Sequence, residues 1–84
     1  MRFTVTWLSV AESRLITLWM QAPDQQQFTE AANRIEKVLR DDPEGASTPL
    51  GKLNVYIDDP LAVLFHISPD DRIVRVIDVR RSRA

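Results

Sequence analysis

Alternating apolar and polar positions divide the sequence into strand-like and helix-like segments. Residues 2–7, RFTVTW, alternate strictly, with the apolar side chains on one side, and this pattern predicts a half-buried strand. Residues 9–20 then carry apolar side chains at helical spacing, and the spacing of Ser9 and Glu12 predicts a capping box at the start of that helix. The fold is therefore expected to begin with a strand that leads directly into a helix.

A second helix is predicted to begin at Asp24, which supplies a capping carboxylate, and to end before Pro43 and Gly45. Its apolar residues form one continuous stripe, namely Phe28, Ala31, Ala32, Ile35, Val38 and Leu39. Glu30 and Arg34 are one turn apart on this helix and are expected to pair. Because so few residues join the two helices, they are expected to form an antiparallel helical hairpin.

The second half of the chain predicts β-structure. Residues 41–52 contain two prolines and both glycines of the chain, and they are predicted to form a loop. Residues 53–57, LNVYI, predict a short strand. In residues 60–79, two apolar runs flank the turn-forming residues 68–71, SPDD, which predicts a β-hairpin.

The predicted hairpin register pairs Phe65 with Val74 and Val63 with Val76. One face then carries Leu61, Val63, Phe65, Ile67, Val74 and Val76. The other face carries Ala62, Leu64, His66, Ile73, Arg75, Ile77 and Val79. Because both faces are largely apolar, helices must cover at least one of them. The predicted fold is α+β and occupies one domain over residues 1–84: an N-terminal strand, the helical hairpin, and a three-stranded antiparallel meander that completes a four-stranded sheet.

Composition narrows the classes of function. The chain has no cysteine, which excludes disulfides, thiolate metal sites and a cysteine nucleophile. No apolar run is long enough to span a bilayer and no leader is evident, so a cytoplasmic protein without a membrane anchor is expected. The net charge is −1, yet residues 72–84 hold five of the eleven basic side chains against Asp78 alone. A basic segment of this kind favours phosphate or an acidic protein partner.

Three stretches carry a resemblance to a known family: FTVTW before the first helix, ANRIEKVLRDDPEG before the sheet, and PLAVLFHISPDDRIVRVIDVRR at the end. Together they resemble the RelE/ParE superfamily, bacterial toxins of type II toxin–antitoxin pairs that include plasmid stabilisation systems. The resemblance covers nearly the whole chain and implies a cognate antitoxin as partner. RelE-like members are implied to cleave mRNA on the ribosome without a metal, whereas ParE-like members are implied to poison DNA gyrase.

The basic residues of the RelE-like branch match this sequence poorly. Where that branch has an arginine early in its third strand, this chain has Ala62, and on the second strand it has Asn54 and Tyr56 where lysines are expected. Lys52 lies just before that strand, and Arg81 matches the arginine after the fourth strand. The resemblance therefore favours a ParE-like toxin that binds a target such as gyrase. A ribosome-dependent endoribonuclease and a non-toxic relative that retains only a protein-interaction surface are the alternatives.

The candidate site residues follow from these alternatives. For catalysis the candidates are Arg75, Arg81 and His66, and for binding of nucleic acid or a partner they are Lys52, Tyr56, Arg80, Arg81 and Arg83. Three arginines within residues 80–83 suit phosphate or carboxylate, and they equally suit a solubilising tail. His66 and Tyr56 have structural interpretations as ordinary strand residues. The aspartate pairs 58–59 and 70–71 are predicted to serve turns rather than a metal, and no cofactor is expected. A homodimer and a toxin–antitoxin hetero-oligomer both remain open.

Overall fold

The computed structural model describes residues 2–82 and has an α+β fold. Its elements, in chain order, are β1 (Thr4–Trp7), α1 (Ser9–Gln21), α2 (Gln25–Asp41), α3 (Pro43–Ala46), β2 (Thr48–Leu50), β3 (Leu53–Asp58), β4 (Leu61–Ser68) and β5 (Ile73–Arg81). The predicted N-terminal strand, helical hairpin and antiparallel meander are all present. Within residues 2–82, no helix is long and apolar enough to cross a membrane.

The sheet has five strands in the order β1-β5-β4-β3-β2, one more than predicted. Strands β3, β4 and β5 form the antiparallel meander, and β1 pairs parallel to β5. The additional strand β2 and the short helix α3 lie in residues 41–52, where a loop was predicted. A two-residue turn joins β2 to β3, and Gly51 adopts a φ of 62° there, a backbone angle that favours glycine.

The core lies between one face of the sheet and the two long helices. Its buried side chains come from α1, α2, β4 and β5: Ala11, Phe28, Ala31, Ile35, Leu39, Leu61, Val63, Phe65, Val74, Val76 and Val79. The predicted stripe of α2 therefore faces the sheet. Buried and partly exposed residues alternate along the first part of β4, so the opposite face of the sheet stays uncovered by helices.

The hairpin of β4 and β5 differs from the predicted register. Phe65 pairs with Val76 instead of Val74, because residues 69–72 form a four-residue connection in which Arg72 has a φ of 54°. This shift of two residues leaves most side chains on their predicted faces. A β-bulge opposite Leu64 and Phe65 then adds a residue to β5, and as a result Val79 is buried in the core, not on the open face as predicted.

The two long helices begin in different ways. Asp24 caps α2, and its Oδ1 accepts a hydrogen bond from the Gln27 amide at 3.1 Å, as predicted. The capping box predicted for α1 is wrong, since the N-cap is Leu8, whose side chain makes no capping hydrogen bond. Ser9 is already the first residue of α1, and the Glu12 amide donates to the Leu8 carbonyl at 3.0 Å.

Candidate functional site

The uncovered side of the sheet, here called the open face, combines an apolar half and a basic half. Strand pairing assigns its apolar half to β2, β3 and β4, with side chains Leu50, Leu53, Val55, Ile57, Ala62 and Leu64. The basic half lies on β5 and includes Arg75 and Arg80, which pair with His66 and Ala62 across β4. Apolar surface beside fixed positive charge is a common composition for a protein-binding surface.

His66 and Arg75 lie directly opposite each other on the open face. They are paired in the β4–β5 ladder, and Arg75 is in turn beside Thr6 of β1. Both His66 and Arg75 are exposed to solvent. His66 and Arg75 are therefore neighbours, as predicted. They pair directly, whereas the predicted register made them diagonal neighbours.

Asp78 organises two arginines at the basic half of the open face. Its Oδ1 accepts from Arg14 Nε of α1 at 2.9 Å, and its Oδ2 accepts from Arg80 Nε at 3.1 Å. The amide of Val79 also donates to Asp78 Oδ1 at 2.9 Å. The Asp78 side chain is only 20% exposed, whereas that of Arg80 is 74% exposed, so the carboxylate orients a guanidinium that still faces solvent.

Arg80 borders a shallow depression of about 180 Å³ on the open face. The depression is lined by Val55, Ala62, Val63, Leu64, Asp78 and Arg80. The depression thus combines an apolar lining with one oriented guanidinium, a composition suited to an apolar side chain next to a carboxylate.

Arg81 lies on the other face of the sheet. It pairs with Leu61, whose side chain is buried on the helix side, so Arg80 and Arg81 point to opposite faces of β5. Arg81 lines a surface pocket of about 420 Å³ near the start of α2, together with Pro23, Gln27, Phe28, Asp59, Pro60 and Ser82. The two adjacent arginines therefore lie at the same end of β5 but on opposite faces of the sheet, and Arg83 lies outside the described residues.

The other two candidate residues, Tyr56 and Lys52, also lie apart from the charged residues of the open face. Tyr56 pairs with Val63 on the helix side and packs against the core, which matches its structural interpretation as a packed strand residue. Lys52 is exposed in the turn between β2 and β3. Neither residue adjoins Arg75 or Arg80 in the strand pairing.

The two aspartate pairs serve turns and contacts between elements. Asp58 binds Arg34 of α2, Asp59 Oδ1 accepts from the Ser82 hydroxyl, and Asp71 Oδ2 accepts from the Ser68 hydroxyl at 3.3 Å. Arg34 thus pairs with Asp58, and not with Glu30 as the helical spacing predicted. The hydrogen bond to Asp58 raises the pKa of Arg34, with the negative charge of Asp58 as a further cause.

Several solved structures match this arrangement over nearly the whole chain. The toxin–antitoxin complex RelBE2 from Mycobacterium tuberculosis matches with a TM-score of 0.82 at 15% identity, over 96% of this chain and 99% of that one. The chromosomal ParDE toxin–antitoxin system from P. aeruginosa matches with a TM-score of 0.72 at 9% identity, over 95% of this chain and 96% of that one. The intact RelBE toxin–antitoxin complex from E. coli matches with a TM-score of 0.68 at 13% identity, over 98% of this chain and 99% of that one. No protein-family model matches the sequence, and a search of curated proteins gives no match.

This chain has the RelE/ParE fold. The predicted resemblance in fold is confirmed, including the order of strand, helical hairpin and meander. At sequence identities this low, the match shows only that the backbones share a fold. A shared fold does not determine which side chains carry a function.

Sequence reasoning missed two residues that shape the surface of this RelE/ParE fold. Arg14 entered none of the predictions, and Asp78 was noted only as the single acid of a basic segment. The contact between Arg14 and Asp78 joins residues from opposite ends of the chain, and no local spacing could have indicated it. The only indication in the sequence was Asp78, because a carboxylate among several arginines readily forms an ion pair with them.

Proposed function

We propose that this protein is the toxin of a type II toxin–antitoxin pair. A cognate antitoxin holds it inactive, and the free toxin acts by binding a protein target such as DNA gyrase. The RelE/ParE fold supports the first part, because the structures that share it are toxin–antitoxin complexes. The choice of target binding over RNA cleavage is supported by the positions of the candidate side chains.

The observation that carries this choice is the separation of Arg81 from His66 and Arg75. Arg81 faces the helix side of the sheet, whereas His66 and Arg75 face the open side. Arg75 and Arg81 are also six positions apart on β5, a distance of roughly 20 Å along an extended strand. RNA cleavage needs a base, an acid and positive charge around one phosphate, and these three residues cannot meet there.

The open face supports a protein partner. Leu64 and Val55 are partly buried and apolar, and Arg80 is oriented beside them by Asp78. A partner segment with aliphatic side chains and carboxylates complements both features, and segments that fold on binding commonly cover such surfaces. We assign this face to the antitoxin.

The proposal is tested by induced expression of the chain with and without the product of the adjacent reading frame. Expression alone is expected to arrest growth, and co-expression is expected to restore it. The purified protein is expected to inhibit supercoiling by gyrase, while messages in the arrested cells stay full length. Variants His66→Ala and Arg75→Ala should remain toxic, because the proposal gives neither residue a catalytic role.

Two results would overturn this assignment in different ways. Messages truncated at defined codon positions, with Arg81→Ala abolishing the truncation, would identify a ribosome-dependent endoribonuclease. Harmless expression without any antitoxin would identify a non-toxic relative that retained only the fold and an interaction surface.

A further inference from the structure

Helix α1 exposes large apolar side chains on the side that faces away from the core. Val10 is 66% exposed, Ile16 is 57% exposed and Met20 is 67% exposed, although Ala11 on the same helix is completely buried. A helix that is apolar on both its inner and its outer side is normally covered on both sides. The outer side of α1 therefore has the composition of an interface.

These side chains belong to an uncharged stripe, here called the outer stripe, formed by Val10, Ser13, Ile16, Thr17 and Met20. Positions 10, 13, 17 and 20 recur at the alternating spacing of three and four residues that keeps side chains on one helix face. All five residues are exposed. The charged residues of α1, Glu12 and Arg14, flank the stripe and do not interrupt it.

We propose that the outer stripe binds the outer stripe of a second copy of this chain, with the two α1 helices antiparallel about a two-fold axis. Val10 of each copy then faces Met20 of the other, and Ser13 faces Thr17. This inference goes beyond the proposed function and does not depend on it.

The stripe is self-complementary under that symmetry. Positions 10 and 20, and positions 13 and 17, are equally distant from the midpoint of the stripe, so one register satisfies both pairs at once. The larger side chains lie at the ends and the small Ser13 and Thr17 lie at the centre, which allows the helices to approach closely. A foreign acidic or basic segment would find no charge in the stripe to fix its register.

The charge beside the stripe does not oppose this association. Arg14 of α1 is bound to Asp78 at 2.9 Å, and this carboxylate partly offsets the charge of Arg14 where the two copies meet. On the other flank, Ile16 adds apolar surface next to its own two-fold copy.

The association is expected to be weak and reversible. A helix of 13 residues gives a footprint about 20 Å long and about 10 Å wide, well short of the roughly 800 Å² per partner of a stable complex. We therefore expect an equilibrium between one and two copies that depends on concentration.

Sedimentation equilibrium of the purified chain tests this inference. The apparent mass should rise from 9.6 kDa towards twice that value as the concentration increases. Met20→Glu should weaken the association more than about tenfold, because it buries a carboxylate without a partner. The matched control is Ile57→Lys, which changes an equally exposed apolar residue on the open face and should leave the association unchanged.

A double variant tests the antiparallel register. Val10→Lys combined with Met20→Glu opposes unlike charges in both pairs, and it should recover the association that either single change weakens. A parallel arrangement would instead bring like charges together and give no recovery.

Three outcomes would overturn the inference: a single copy at every concentration, an association that Ile57→Lys abolishes while Met20→Glu leaves it intact, or a double variant without recovery. A chain that stays a single copy, and whose Met20→Glu variant binds the purified antitoxin more weakly, would instead assign the outer stripe to the antitoxin. Circular dichroism of each variant establishes that its fold is retained.

Discussion

Arg34 of α2 binds Asp58 at the end of β3 through two parallel hydrogen bonds. The Nε–Oδ2 distance is 3.0 Å and the Nη2–Oδ1 distance is 2.8 Å. This bidentate pair fixes the middle of α2 to the strand end that precedes the Asp59–Pro60 turn. Because the planar guanidinium matches the carboxylate, the geometry is more specific than that of an ordinary surface ion pair.

Loss of this pair is expected to lower the thermal unfolding midpoint. Asp58→Asn removes the charge with little change in shape, whereas Asp70→Asn, at an exposed turn aspartate, serves as the control and should leave the midpoint nearly unchanged. The difference between the two variants should shrink in 1 M salt, because exposed charges are screened there. Equal midpoints for both variants at low salt would contradict a stabilising role for the pair.

The contribution of Arg34 to stability should not vary between pH 7 and pH 10. Its pKa is raised in the folded protein by the hydrogen bond to Asp58. A raised pKa gives stability that is fully present below the unfolded-state pKa and is lost only as the pH rises through the folded-state pKa. Denaturant unfolding of the wild type and of Arg34→Gln at both pH values should therefore give the same difference, and a difference that falls by pH 10 would refute this assignment.

The N-termini of the two long helices give a prediction that distinguishes the capping seen in the structure from the capping box predicted from the sequence. Asp24→Ala should lower the free energy of unfolding by about 1 kcal/mol, because the Gln27 amide loses its acceptor. Ser9→Ala should have little effect, since the Ser9 side chain caps nothing in the structure. Urea unfolding measures both variants, and a larger cost for Ser9→Ala would support the capping box after all.

Phe65 is the largest completely buried side chain of the sheet, and it lies at the centre of β4. Phe65→Ala is expected to cost about 3–5 kcal/mol, a large share of the roughly 5–15 kcal/mol that stabilises a small domain. Ile57→Ala, at an exposed position of β3, should change stability by less than about 0.5 kcal/mol. Chemical denaturation checks both values, and similar effects at the two sites would contradict the assignment of the core.

The assignment of the open face to the antitoxin predicts an effect of Leu64→Lys. A lysine in the depression next to Arg80 should weaken antitoxin binding by about tenfold or more, because it removes an apolar contact and adds a charge that must lose its water on binding. Thr17→Lys, on the outer stripe of α1, is the control and should leave this binding unchanged. Titration calorimetry with the purified product of the adjacent reading frame measures both, and the opposite ranking would move the antitoxin to α1.

Much of the core was predictable because burial follows local periodicity. The spacing from Phe28 to Leu39 predicted the inner face of α2, and the predicted register placed Leu61, Val63 and Phe65 on one face of β4, where all three are buried. The short strand β2 was missed because its three residues include Pro49 and are all exposed, so it has neither length nor alternation. Strands of this kind form through pairing with a neighbour, which local sequence does not encode.

The positions of the arginines were not predictable in the same way. A bulge in β5 changes which face each later residue occupies, and its location is hidden because Val76, Ile77 and Val79 are all apolar and show no alternation. Adjacent residues in a strand point to opposite faces, so Arg80 and Arg81 lie on different faces although they are neighbours in the sequence. Arg80 pairs with Asp78 of its own strand, whereas the second arginine bound to Asp78 is Arg14 of α1, and only the folded chain reveals that contact.

The parallel pairing of β1 with β5 also has a consequence for the order in which the sheet forms. The first strand of the chain pairs with the last, and β5 lies between β1 and β4 in the sheet. Contacts between such distant segments form late in folding. The sheet is therefore completed only after residues 73–81 have been synthesised.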